Sequence, residues 1–144
     1  AGRASQQNPG EITAQSLNEI KTIINQLATN DDLLAEWFGR YVTEQKDDRQ
    51  GFLDEEQTEQ VITLLKQGSA LDVNPSVRLA YSREGDTTRL FINGETISQT
   101  GNAWLLFTQS ICLNRYVSEP DFSNSQVGLG IRELAALNCL YVAD

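Results

Sequence analysis

The side chains of this chain that could act on a substrate are its carboxylates. They gather at Asp31-Asp32, Asp47-Asp48 and Asp54-Glu55-Glu56, and paired carboxylates can do glycosidase chemistry or hold magnesium. Two of the three groups fall where helices are expected to start. A helix N-terminus attracts negative charge through its unpaired N–H groups, so these carboxylates are explained without catalysis. Histidine is absent from all 144 residues. Imidazole is the usual general base, proton shuttle and transition-metal ligand. Its absence excludes from this chain a Ser-His-Asp triad, a Cys-His pair, an H-E-x-x-H zinc site and an iron site of two histidines and one carboxylate. Cys112 and Cys139, the two cysteines, are too few for a four-thiolate zinc site. Each stands among apolar neighbours, as buried free thiols do; a disulfide is the alternative, but nothing else points to an oxidising compartment. No catalytic, cofactor-binding or metal-binding residue is assigned, and the chain alone is not expected to be an enzyme.

Nucleotide chemistry finds no specific cradle either. There is no G-x-x-x-x-G-K-[ST] loop and no G-x-G-x-x-G after a strand. Gly128-Leu129-Gly130, ahead of an expected helix, is the nearest approach to an anion site, and a plain loop-to-helix turn is the simpler explanation. The net charge is −9, from 11 basic and 20 acidic side chains, and residues 51–144 alone carry six basic and twelve acidic ones, a net of −6. Nucleic-acid affinity comes largely from neutralising phosphates. Arg78, Arg83 and Arg89 are therefore read as charge-balanced surface, and no nucleic-acid partner is expected. No apolar run is long enough to cross a bilayer and residues 1–10 lack the apolar stretch of a secretory leader. A soluble, cytoplasmic chain without a membrane partner is expected. It starts at Ala1 and contains no methionine, for which a piece of a longer protein is the simpler explanation.

The elements that must position any functional surface follow from periodicity. After a disordered lead-in over 1–10, Leu17, Ile20, Ile24 and Leu27 repeat at three- and four-residue steps and predict a helix over 14–28. Thr29-Asn30 supplies capping side chains for a second helix over 31–45, striped by Leu34, Trp37, Phe38, Tyr41 and Val42. The short connection predicts an antiparallel helical hairpin. Its second stripe is broad enough to leave apolar area for a partner, so Leu17, Ile20, Ile24, Leu27, Leu34, Trp37, Phe38 and Tyr41 form the candidate oligomer interface; packing on a neighbouring part of the same chain is the alternative. Gly39, inside the second helix, reads either as a tolerated glycine or as a place where another element comes close. The polar stretch 45–51 (QKDDRQG) separates a helical dimerisation and linker region over 11–50 from a second domain over 51–144. There, Asp54 and Gln57 have capping-box spacing before a helix over 55–66 that Gly68 stops. A meander over 76–98 follows, with Asn93-Gly94 as a tight turn. A fourth helix, capped by Asn102 and mostly buried, carries Trp104, Leu105, Phe107, Ile111 and Cys112. The stretch 117–126 reads as loop, a fifth helix as 131–138, and Leu140-Tyr141-Val142 as a last strand. The fold class is α+β, mostly helical: a helical hairpin followed by a small winged-helix-like domain with a short antiparallel meander.

Three stretches together resemble the C-terminal region of the bacterial JmjC-type, or cupin-like, ribosomal oxygenases, the Fe(II)- and 2-oxoglutarate-dependent ribosomal protein arginine hydroxylases. They are 17–45 (LNEIKTIINQLATNDDLLAEWFGRYVTEQ), 52–68 (FLDEEQTEQVITLLKQG) and 90–97 (LFINGETI), with Leu134-Ala135-Ala136-Leu137 and Leu140-Tyr141-Val142 adding to them. Trp37-Phe38-Gly39 and Asn93-Gly94-Glu95 are the most distinctive pieces. In that family a catalytic barrel precedes a helical dimerisation region and a winged helix, and this chain looks like the last two. The family's H-x-D motif and distant histidine match no position here, so no catalytic residue carries over. The resemblance implies a non-catalytic assembly module, a homodimer, and a parent dioxygenase with Fe(II) and 2-oxoglutarate as cofactors and a ribosomal protein as substrate. It also implies a winged helix that does not read DNA. The alternative is an acidic winged-helix interaction or regulatory domain with no oxygenase attached; a carboxylate-only enzyme is a third reading.

Overall fold

The computed structural model describes residues 12–44 and 51–142, apart from the side chain of Leu27. The lead-in over 1–10, the polar stretch 45–50 and Asp47-Asp48 lie outside the described residues. The chain divides into two compact units, one reaching to Leu34 and the other running from Ala35.

In the first unit, α1 spans Ala14–Ala28, as its apolar spacing predicts. Its start is closed by Thr13, whose Oγ1 accepts from the Ser16 backbone N–H at 3.1 Å. The helix α2, Asp31–Thr43, begins in this unit. Asn30 caps it by accepting from the Leu33 N–H at 3.1 Å, with Asp31 and Asp32 in the first turn where the helix dipole favours them.

The second unit opens with α3, Glu55–Lys66, held by the expected capping box: Asp54 accepts from the Gln57 N–H at 2.8 Å and Gln57 from the Asp54 N–H at 3.1 Å. Gly68, at φ +95°, ends it, and the Ser69 N–H donates back to the Leu64 carbonyl. The meander consists of β2 (Leu79–Glu84), β3 (Thr87–Ile92) and β4 (Glu95–Thr100), preceded by β1 (Leu71–Val73). Asn93 and Gly94 both have positive φ, +54° and +82°, the primed geometry whose twist matches the flanking strands.

Other boundaries differ from expectation. The three-residue β1 is the central strand of a second antiparallel sheet of order β5-β1-β6, paired on one side with the two-residue β5 (Tyr116–Val117) and on the other with β6 (Leu140–Val142). Strands that short carry too few residues for alternation to register. The helix α4, Asn102–Asn114, is preceded by Gly101 at φ +94°, with no side-chain cap; Asn102 is its first residue, not its cap. It is also less buried than expected: Trp104, Thr108 and Ile111 face inward, but Leu106 and Leu113 are 56% and 82% exposed. The helix α5 covers Ser125–Ala136, starting well before 131, because Asn124 caps it by accepting from the Val127 N–H at 3.0 Å.

The core of the second unit gathers Ile62, Leu65, Leu71, Leu90, Ile92, Trp104, Ile111, Ile131 and Leu134. Trp104 is fully buried, and its indole N–H donates to the Thr88 carbonyl at 3.0 Å. Gly130 permits that burial, since a Cβ there would overlap the Trp104 ring.

The substitution Gly130→Ala should therefore destabilise the chain by about 1–2 kcal/mol, even though alanine's helix propensity favours it by about 1 kcal/mol. Urea unfolding measures the difference. Gly51→Ala, where an added Cβ meets nothing within 4 Å, should stay within about 0.5 kcal/mol of the parent chain.

Candidate interaction surface

The helix α1 presents an apolar stripe that nothing in the described chain fully covers. Leu17, Ile20 and Ile24 are 47%, 50% and 55% exposed, and Ile12 and Ile23, which the three- and four-residue spacing did not single out, are open as well. Burying one such side chain is worth about 1.5–3 kcal/mol. Several left open on one helix is the pattern of a surface that meets something else. Leu27 belongs to the same spacing, but its side chain lies outside the described residues.

Most of the large apolar side chains of α2 also remain open, with Val42 half-buried. Leu34, Trp37, Phe38 and Tyr41 are 38%, 48%, 56% and 57% exposed. Trp37 and Tyr41 stack one turn apart, ring centroids 5.4 Å apart and planes within 4°, so the two rings present one stiff aromatic shelf. The buried residues of α2 are Gly39 and Thr43. A Cβ at Gly39 would overlap the Phe91 ring, which is why a glycine stands there: the close-approach reading is the one observed. Thr43 Oγ1 donates to the Gly39 carbonyl at 2.9 Å and accepts from the Gly94 N–H at 3.0 Å. Arg40 Nε donates to the Gly94 carbonyl at 3.2 Å. One side of α2 thus grips the β3–β4 turn and the other carries exposed aromatic rings.

The carboxylates around the start of α3 serve as its cap and first turn. Asp54 is occupied as a cap and Glu55 and Glu56 are exposed in the first turn of α3. A shallow hollow along that helix is lined by Glu56, Glu59, Gln60, Thr63 and Leu64, all from one element. Among the described residues no group of three His, Cys, Asp or Glu could hold a metal ion, and no helix is long and apolar enough to cross a membrane. Gly128-Leu129-Gly130 lies inside α5 and not ahead of it, so the anion-cradle reading loses its geometry. Arg78 and Arg83 are exposed, while Arg89 pairs with Glu84 at 3.4 Å. Cys112 and Cys139 are free thiols, the second buried and the first half-buried. Burial pushes the Cys112 thiol up to about 11, with the nearby Arg115 pulling the other way.

Comparison with known proteins follows the same outline. The sequence profile of a family described as ROXA-like winged helix matches residues 25–121. No curated protein matches the chain. Similar solved structures include the X-ray structure of E. coli YcfD, at 17% identity and a TM-score of 0.60, covering 99% of this chain and 38% of that one. YcfD described as a ribosomal oxygenase from Escherichia coli aligns at 16% identity and TM-score 0.58 over 99% and 39%. The same protein in complex with cobalt and 2-oxoglutarate aligns at 16% and 0.56 over the same shares. The chain therefore spans a little over a third of the length of the proteins it resembles.

With its pKa raised to about 11, Cys112 should be almost wholly protonated at pH 8, and only the thiolate is nucleophilic. Iodoacetamide at that pH should alkylate it at least about tenfold more slowly than in the urea-unfolded chain. The native rate should climb as pH rises towards 11. Peptide mass mapping at Cys112 measures both rates.

Proposed function

Since the chain belongs to the ROXA-like winged-helix family, we propose that it is the non-catalytic C-terminal assembly region of an Fe(II)- and 2-oxoglutarate-dependent ribosomal protein hydroxylase. In this reading residues 11–50 pair two subunits and residues 51–144 form the winged helix, helping to position a protein substrate against a catalytic barrel elsewhere in the polypeptide. The family membership and the fold shared with YcfD, a ribosomal oxygenase solved with cobalt and 2-oxoglutarate, support the parent activity and a cytoplasmic setting. The donors present here do not fit an iron site: there is no histidine in the sequence and no metal-capable group of three among the described residues. Iron and 2-oxoglutarate belong to other parts of the parent.

The observation that carries the assembly role is the uncovered stripe of Leu17, Ile20 and Ile24 on α1, and of Leu34, Trp37, Phe38 and Tyr41 on α2. A second copy of the chain is the occupant that charge favours. Two molecules of net charge −9 repel across most of their surfaces, and an uncharged aromatic and aliphatic face is where that repulsion is least and burial gain greatest.

Sedimentation equilibrium of the chain at tens of micromolar should give a dimer. Phe38→Asp should weaken it by about thirtyfold, the scale of one hot-spot residue, with the helical circular dichroism unchanged because the ring faces outward. A parent chain that stays monomeric at high micromolar concentration would sink the assembly role. The oxygenase role has a separate test: the upstream coding sequence should encode a barrel with H-x-D and a later histidine, and without one the chain is a free-standing acidic winged-helix interaction domain.

A further inference from the structure

We propose that the outer face of the β5-β1-β6 sheet holds a recognition slot, formed by Tyr116, Asp72 and Tyr141, for the guanidinium of an arginine in a basic peptide. The register makes the juxtaposition. Asp72 on the central strand lies directly opposite Tyr116 on one side and Tyr141 on the other. Leu71, Val73 and Val117 are 2%, 3% and 2% exposed, so alternation turns Asp72 and Tyr116 to the opposite, solvent face. Tyr116 and Tyr141 are 44% and 45% exposed. Directly opposed side chains share a face with Cβ atoms about 4.5–5.5 Å apart. Strands two apart are separated by about 9.5 Å, and a planar group touching a ring on each side needs about 7–8 Å. The three residues therefore make two aromatic walls with a carboxylate floor.

The slot is electrically uncompensated. Asp72 has no ion pair or hydrogen bond through its carboxylate among the described residues. Arg115, which directly precedes Tyr116 in the chain, is spent on the carbonyls of Asn74 and Val77, at 3.0 and 2.7 Å. Neither tyrosine stacks on another ring among the described residues, where the ring pairs are Trp37 with Tyr41 and Trp104 with Phe107. Aromatic faces attract cations, and a flat guanidinium can stack on a ring while bonding a carboxylate edge, which a lysine ammonium cannot do. A phosphate-bearing partner is disfavoured by Asp72 and by the net charge of −9. The slot is built from other residues than the α1 and α2 stripes, and the proposal does not depend on whether the chain pairs with itself.

The test is an amide chemical-shift titration of the isotope-labelled 144-residue chain with a capped Gly-Arg-Gly-Arg-Gly peptide. Saturable shifts are expected at Asp72, Tyr116, Tyr141 and their strand neighbours, and none with the same peptide carrying neutral citrulline in place of arginine. Asp72→Asn should weaken binding by about fivefold or more, and Tyr116→Ala by about two- to fivefold. Tyr141→Phe, which keeps the ring and the strand, should bind as the parent does. Shifts that scatter over the acidic surface and survive Asp72→Asn overturn the proposal, as does equal binding of the citrulline peptide.

Discussion

Burying an indole whose N–H still needs an acceptor is the constraint around which the second unit is organised. Trp104 has no exposed surface, and an orphaned N–H at that depth would cost about 1–3 kcal/mol. The acceptor is the Thr88 carbonyl, so the meander must lie close enough to α4 to lend a backbone oxygen. The ring also stacks on Phe107, centroids 5.3 Å apart, and its far edge occupies the space that a side chain on α5 would fill, which only Gly130 leaves open. One side chain thereby sets the spacing of two helices and a strand.

The strand β3 is covered on both faces, and this is what draws the end of α2 into the second unit. Leu90 and Ile92 turn into the main core, while Phe91, between them, points the other way and is still only 1% exposed. Its cover is Gly39, with Thr43 and Arg40 bonding the adjoining turn. A helix held so tightly on one side has little freedom to rotate its aromatic shelf. Any partner that binds Trp37, Phe38 and Tyr41 therefore meets a surface already set in orientation by the winged-helix unit.

Much of this was legible in advance where local chemistry decides the outcome. Asp54 with Gln57, Asn30 before Asp31, Gly68 and Asn93-Gly94 each act within four residues, and each stands as read. Gly39 was legible as a question, answered by Phe91 fifty-two positions away. The strands β1 and β5 were not legible, because a two- or three-residue strand exists only through its partners. The start of α5 was missed because Ser125, Gln126 and Gly128 look like loop, and the cap Asn124 outweighs them. For the surface, spacing identified which faces of α1 and α2 are apolar but not whether they would be covered. The row of Tyr116, Asp72 and Tyr141 is invisible in one dimension, since only strand register brings those positions together.

The order of the second sheet also bears on how the molecule is made. Its central strand, β1, finds one neighbour at Val117 and the other at Leu140 to Val142, pairings that close loops of roughly fifty and seventy residues, and such distant closures slow folding. Until Leu140 to Val142 leave the ribosome, β1 has one neighbour at most, and until α5 leaves it, the indole of Trp104 lacks the wall that shields it. From its own synthesis until α5 follows it, the indole is thus incompletely enclosed, a window in which chaperones have something to hold.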